Sequence, residues 1–337
     1  MLPFVDALPL PWRAVAYILA FLAGLLLLER GADWFTDAIA DIAKRLHAPQ
    51  TLVGLLTAGA EWEELVVVLT AVIGGHSGIA IGDILGSTIA NVLGSFPLGL
   101  FGRKPLVVER TARFYALAML AITLLVSGLL VAGPITRPIG GALIGIFAIY
   151  AASILLLIRA GRVRQEDVLP AEDDDDDDDD DEHEASERHS LPVHLLFLVI
   201  GVVAISLGAY LVVEPAVYFA HALGVSETIV GLTIVAIGTT LPDKAISLAG
   251  GLKRQSGIVV ANAIGSNIFV LTLVLGLSAL ASPVIANTQA VGIDILVMIG
   301  STVLLFVLLL RTRLHWRIGL VLLLLYLLYV LYQYFGK

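Results

Sequence analysis

The chain has 337 residues, of which 58% are hydrophobic and 15% charged, with a mean hydropathy of +0.94; that is more apolar surface than a water-soluble core of this length buries, so the bilayer is the expected solvent. The formal charge of −9 is local, because residues 161–190 hold 15 acids against 3 bases and the rest of the chain holds 14 acids against 17 bases. No clustered basic surface exists for nucleic acid, and a chain without cysteine has no disulfide framework, thiolate metal site or cysteine nucleophile.

A membrane-spanning helix needs about 20 mostly apolar residues. Ten stretches qualify: residues 13–43, 50–74, 78–101, 112–133 and 138–159, then 191–221, 228–252, 256–281, 288–310 and 314–334. The expectation is an all-α membrane protein with five helices, a loop and five more helices. The first stretch is too long for a signal peptide and lacks its short basic lead, so it stays in the mature protein. Its end, with Asp33, Asp37, Asp41, Lys44 and Arg45, is expected to run along or out of the interface.

Short loops rich in Lys and Arg stay on the cytoplasmic side. With the N-terminus outside, fifteen bases fall in inner loops, among them Arg103, Lys104, Arg110, Arg113, Arg162, Arg164, Arg188, Lys253, Arg254, Arg311 and Arg313. Only Arg13, Arg137 and Lys337 fall outside. This bias places both termini outside a plasma-membrane protein and residues 161–190 in the cytoplasm. The run from Asp173 to Asp181, followed by Glu182, Glu184 and Glu187, repels itself and has no apolar surface to bury, so a disordered linker is expected. It lacks the glycine-turn spacing of a formed calcium loop.

The chain also repeats itself. Val53 to Leu55 followed by Gly59 to Glu64 parallels Val230 to Leu232 followed by Gly238 to Asp243, at an offset of 179. At the same offset Leu69, Ser77, Gly78, Ile79, Gly86, Ser87 and Ile89 meet Leu248, Ser256, Gly257, Ile258, Gly265, Ser266 and Ile268. Each half carries an odd number of helices, so the second copy enters from the opposite face, giving two inverted repeats whose paired sites meet near the midplane. The expected division is residues 1–160 (repeat motif 54–91), a linker at 161–190, and residues 191–337 (motif 231–270). Thr57 to Glu64 and Gly238 to Asp243, polar and glycine-bearing inside apolar sequence, are the expected helix breaks, where freed carbonyls and helix ends line a cavity.

Glu61, Glu63, Glu64, Asp83 and Asp243 lie in these segments. A carboxylate at a helix centre costs about 2.5 to 3.5 kcal/mol on insertion scales, so five cost on the order of 10 kcal/mol unless water, protons or cations compensate. Glu64 and Asp243 are equivalent by the repeat, Glu61 lies one turn before Glu64 and shares its face, and Asp83 stands four residues before Ser87, opposite Asn262 in the repeat. Glu63 points elsewhere on an ideal helix, toward water or a base. Hard oxygen donors in this number suit calcium better than zinc; His76, at an expected outer turn, reads as exposed. Two carboxylates, one per repeat, neutralise a divalent ion, and hydroxyls, amides and freed carbonyls complete further cation sites.

At these residues the sequence resembles the cation/calcium exchanger superfamily, the sodium/calcium exchanger-like membrane antiporters. Gly238 to Asp243 (G-T-T-L-P-D) and Gly265 to Val270 (G-S-N-I-F-V) match the family's second repeat, and Gly86 to Asn91 (G-S-T-I-A-N) its first. The resemblance implies a ten-helix fold. It also implies that Glu64 and Asp243 are the central calcium-binding acids, that Thr239, Thr240, Ser87 and Ser266 are hydroxyl ligands, that Asn91 and Asn267 are amide ligands, and that the first and sixth helices slide past the rest. The first repeat departs from the pattern: Ala60 and Glu61 replace two hydroxyls and Glu63 replaces the helix-breaking proline. In the second, Asp243 is shorter than the usual Glu, Lys244 sits beside it, and Val270 lacks the expected polar side chain.

Acids so close titrate as a coupled set, so protons can substitute for sodium. Lys244 is an internal counter-charge or, as the preferred reading, points away and snorkels toward the interface; Arg30, beside Glu29, reads as an interface anchor. The expected function is a secondary active antiporter exchanging calcium for sodium or protons by alternating access. It is not an enzyme, uses no cofactor and needs no partner beyond lipid and its ions, a monomer being sufficient. An intramembrane hydrolase fares worse, since aspartyl chemistry needs two acids sharing a matched proton and a serine nucleophile needs a base that neither repeat supplies. The remaining alternative is a family member that does not transport and acts as a cation sensor, or one that carries another cation.

Overall fold

The computed structural model describes residues 5, 9–45, 61–102, 105–108, 110–159 and 191–336. Residues 50–60 of the second expected span, the acidic run, and Arg103, Lys104, Arg162, Arg164 and Arg188 lie outside the described residues. In chain order the helices are α1 (Leu10–Arg45), α2 (Trp62–Ile73), α3 (Ser77–Phe101), α4 (Arg110–Ala132), α5 (Arg137–Arg159), α6 (Leu191–Leu223), α7 (Glu227–Thr239), α8 (Leu241–Leu252), α9 (Ser256–Ala281), α10 (Thr288–Leu309) and α11 (Trp316–Phe335). Two short strands, β1 (Leu106–Val107) and β2 (Arg313–Leu314), pair antiparallel. Among the described residues eight helices are long and apolar enough to span a membrane, or nine when α7 and α8, bent by 46° at their break, are counted together as one span. The tenth expected span is described only as α2.

Burial separates the helices that face lipid from those that face protein. In α3 and α9, 89% and 83% of the membrane-length window is buried inside the protein, against 44% at most in the other long spans. Those two form the centre. The outer helices turn Leu26, Ile149 and Leu296 outward, as hydrocarbon allows and water does not.

α1 and α6 lie side by side, antiparallel, over much of their length. A Cβ on Gly31 would stand 2.7 Å from the Ile205 nitrogen, and one on Gly208 2.8 Å from the Leu28 nitrogen, so the absence of side chains lets the backbones touch. Tyr17 and Tyr218 stack at 4.1 Å near one end, and His194 Nδ1 meets Asp41 Oδ2 at 3.2 Å near the other. At 1.5 Å per residue the 36 residues of α1 extend about 54 Å, well beyond a hydrocarbon core of about 30 Å. The helix is therefore long enough for one end to leave the apolar layer.

The internal repeat is visible in the element bounds. α2 (Trp62–Ile73) maps onto α8 (Leu241–Leu252), the segment Ser77–Ala90 onto Ser256–Phe269, and a π-helical turn at Asn91–Ser95 onto one at Val270–Val274, all at an offset of 179. Thr88 and Asn267, equivalent at that offset, touch each other: Asn267 Nδ2 donates to the Thr88 carbonyl at 3.1 Å. A contact between two equivalent positions lies on the pseudo-two-fold axis. The strand contacts obey the same exchange. The segment after α3 pairs with the segment before α11 (Leu106 with Leu314), and the segment after α9 pairs with the segment before α5 (Val284 with Ile135). These two pairings sit at opposite ends of α4.

Candidate cation site

One helix break and one helix start build the site. In the second half the Ser226 hydroxyl caps α7 by accepting from the Ile229 N–H at 3.3 Å, and the helix passes a π turn at Gly231–Val235 before stopping at Thr239. The Thr239 and Thr240 hydroxyls donate back to the carbonyls of Val235 (3.2 Å) and Ala236 (2.6 Å), competing with the helical ladder. Pro242, in the first turn of α8, has no N–H to continue it. In the first half α2 begins after Glu61, whose backbone (φ −77°, ψ 73°) is non-helical. Glu64 and Asp243 thus each sit in the first turn of a new helix, where free N–H groups and the macrodipole favour negative charge. The break at Gly238–Asp243 falls where the sequence places it; the part of the first break at residues 57–60 lies outside the described residues.

The two central helices supply the rest. α3 carries Asp83, Ser87 and Asn91 at intervals of four, on one face, and α9 carries Asn262 and Ser266 likewise. α3 packs against α7 backbone to backbone: a Cβ on Gly86 would lie 2.5 Å from the Leu232 oxygen, and one on Gly231 2.5 Å from the Ile79 oxygen. Only glycine permits that approach, and it brings Asp83 onto Thr239. The Thr239 hydroxyl donates to Asp83 Oδ1 at 3.3 Å as well as to Val235. The Ser87 hydroxyl lies 3.5 Å from the same carboxylate oxygen and 3.5 Å from Thr239 Oγ1. Ser266 Oγ donates to Asp243 Oδ1 at 3.3 Å. Asn262 Nδ2 donates to the Asp243 carbonyl at 3.3 Å and to Ser247 Oγ at 3.4 Å. Asn91 Nδ2 donates to Glu61 Oε1 at 3.3 Å, while its own oxygen accepts from Ser95 at 3.4 Å.

Glu61, Glu64, Asp83 and Asp243 are each no more than 6% exposed. Glu61 interacts electrostatically with Glu64 and Asp243, and Glu64 with Asp83 and Asp243, so the four share one buried region. Among the described residues, both oxygens of Glu64, Oε2 of Glu61, Oδ2 of Asp83 and Oδ1 of Asn267 have no hydrogen-bond donor. Buried acceptors without donors are costly, and what such atoms accept besides protons is a cation. Among the described residues no three acids or histidines close tightly enough to hold a metal by themselves. An ion held here must draw on hydroxyl, amide and backbone oxygens as well, which favours a hard cation that accepts mixed oxygen ligands.

Not every expected donor faces the acids. Thr240 spends its proton on Ala236 and accepts from Lys244 Nζ. Lys244 does not snorkel to the interface: its ammonium also donates to the Ile237 carbonyl at 3.1 Å, because the helix break offers acceptors within its reach. Glu63 is half-buried and lines a cavity of about 290 Å³ with Glu29, Leu25, Thr239 and Pro242. His76 is partly buried and meets Glu227 at 3.0 Å across the two halves. The sequence reading assigned no role to Asn262, although its equivalence to Asp83 marked it. It also passed over Asp294, the sole charged residue of α10, which accepts from Tyr329 (3.1 Å) and Gln333 (2.6 Å).

A broken helix in one of two halves that meet at a pseudo-two-fold axis, with buried acids around the break, is the architecture of a secondary transporter. The chain matches the family model described as sodium/calcium exchanger protein over residues 16–156 and 193–335, and it belongs to that family, whose members are transporters and not enzymes. It is 31% identical over 294 residues to the putative antiporter CaxA of Alkalimonas amylolytica, covering 86% of this chain and 88% of that one. It is 34% identical over 133 residues to the sodium/calcium exchanger MaX1 of Methanosarcina acetivorans, covering 38% of this chain and 37% of the other. Its fold is similar to a solved structure of the sodium-calcium exchanger NCX_Mj soaked with 10 mM Na⁺, with a TM-score of 0.60 and 25% identity over 94% of this chain and 99% of that one.

Proposed function

We propose that this chain exchanges calcium for sodium, or for protons, across the plasma membrane by alternating access. Glu64 and Asp243, one from each half, neutralise the divalent ion. Glu61 and Asp83, with the oxygens of Ser87, Asn91, Thr239, Ser266 and Asn267, complete its shell or hold the counter-ions, while Thr240, expected among the ligands, has its hydroxyl engaged by Ala236 and Lys244. Calcium takes six to eight oxygens, more than the acids alone offer, and two occupancies competing for shared oxygens couple the fluxes. One observation carries the reading: at membrane depth both carboxylate oxygens of Glu64 and one each of Glu61 and Asp83 are buried without donors among the described residues, an arrangement that only a positive partner makes favourable. The names of MaX1 and NCX_Mj support calcium and sodium as the pair.

In this reading ten helices form two inverted five-helix repeats, residues 1–160 and 191–337, linked by a cytoplasmic acidic segment at 161–190, with both termini outside. The exchanged strand contacts at opposite ends of α4 support the inversion, and the distribution of bases supports the orientation. α1 and α6, held together by glycine contacts and at both ends, move as one body past the remaining helices. A single copy of the chain is sufficient.

The test is calcium-45 uptake into proteoliposomes loaded with sodium, with potassium or with acidic buffer, beside a Glu64→Gln/Asp243→Asn double variant. Uptake driven by one outward gradient and abolished in the variant is expected, and the effective gradient names the counter-ion. No calcium flux under any gradient, from protein shown to be folded, refutes the assignment.

A further inference from the structure

Lys244 occupies an unusual place for a base. It is half-buried at membrane depth, beside Asp243 in sequence, and it lies in the field of Asp243, Glu64 and Glu61. Its ammonium bridges the Ile237 carbonyl and the Thr240 hydroxyl. That hydroxyl has given its own proton to the Ala236 carbonyl, so it turns a lone pair toward Nζ. Both acceptors belong to the last turn of α7 and its cap, the negative end of the helix macrodipole. A freed carbonyl and a hydroxyl lone pair at the C-terminal end of a broken helix are the ligands such helices offer to monovalent cations, and an ammonium is itself a monovalent cation on a flexible stem. The stem passes Gly94 and the Tyr326 ring, a Cβ at position 94 lying in ordinary contact range of both, 3.7 Å from Lys244 Cε and 3.4 Å from the ring.

The repeat shows what is particular to this position. At the offset of 179, Lys244 corresponds to Leu65 and Thr240 to Glu61. The first half carries an added acid where the second carries a hydroxyl bound to an added base. Charge has been added with opposite signs on the two sides of one site.

We propose that Lys244 is a tethered monovalent cation: its ammonium holds the position formed by the Ile237 carbonyl and the Thr240 hydroxyl. The chain therefore binds one fewer free monovalent ion than the same site would with an apolar residue at 244. For transport, the proposal rests on the exchanger reading and lowers the number of monovalent ions moved per calcium by one. As a statement about binding it stands apart from transport.

The test counts sodium-22 bound at saturation per purified chain in detergent, for the wild type and for Lys244→Leu, the side chain found at the equivalent position of the first half. One additional sodium in the variant is expected. Equal counts, zero included, overturn the proposal. Should Lys244→Leu fail to fold, Lys244→Cys gives a single cysteine in a chain that otherwise has none. Its count is expected to exceed the wild type's by one before treatment with 2-bromoethylamine, and to return to the wild-type count afterward, because aminoethylation rebuilds an ammonium of nearly the same length. An unchanged count after aminoethylation overturns the proposal too. Absence of calcium flux in the wild type strikes the exchanger reading alone, since the difference in sodium count is read without transport.

Discussion

Replacing Glu64 by glutamine separates the cost of this carboxylate from its use. The side chain is 1% exposed and neither oxygen has a donor, while Asp83 and Asp243 act on it electrostatically. Without cations the wild type therefore either carries a buried charge, which costs about 2.5 to 3.5 kcal/mol on insertion scales, or must take up a proton to be rid of it. Glu64→Gln removes that charge, keeps the shape and adds two N–H donors among oxygens that lack them. We expect the ion-free protein to gain on the order of 2 kcal/mol. With calcium the sign reverses. A carboxylate at about 2.4 Å from a divalent ion is worth on the order of 10 kcal/mol at an effective dielectric near 20, before desolvation, so the variant should lose calcium binding. In the wild type, calcium at 100 times its dissociation constant stabilises by about 2.7 kcal/mol. The assay is thermal unfolding in detergent, with a chelator and then with calcium. The variant should melt above the wild type in chelator and show no calcium-dependent rise. A variant that melts lower in chelator and still gains with calcium would refute the assignment of Glu64 as an ion ligand.

Two further substitutions probe the frame around the site. Gly86→Leu drives a side chain into the Leu232 carbonyl, 2.5 Å from its Cβ, parting α3 from α7 and Asp83 from Thr239; we expect calcium-dependent stabilisation to fall at least tenfold in apparent affinity, and an unchanged affinity would show that the α3–α7 contact does not position the acids. Asp294→Asn keeps an acceptor for Tyr329 and Gln333 but loses the charge they bond to, a change of about 1 to 3 kcal/mol in stability. Calcium affinity should stay within twofold, and its loss would place Asp294 on the ion's path.

Hydropathy and charge cost are properties of short windows, so the spans, the repeat offset and the acids at membrane depth are legible without a fold. The offset of 179 read from Gly86, Ser87, Gly265 and Ser266 later coincides with three successive helix bounds. The break at Gly238–Asp243 is equally local, because two hydroxyls competing for carbonyls and a proline without an N–H act within one turn. Which atoms meet is not local. Asp83 and Thr239 are 156 residues apart, and their contact depends on glycines in two different helices allowing the backbones together. Lys244 shows the limit most plainly. Its composition and neighbours suit either an interface anchor or an internal counter-charge, and the choice follows from the Ile237 carbonyl and the Thr240 hydroxyl that the break places within its reach. The sequence by itself determined that a membrane would be crossed, that the crossing would repeat, and that acids would sit at its breaks. The tertiary structure alone decided which oxygens those acids share and where the one base among them rests, because hydrogen-bond partners are set by the packing of two halves that no sequence window contains together.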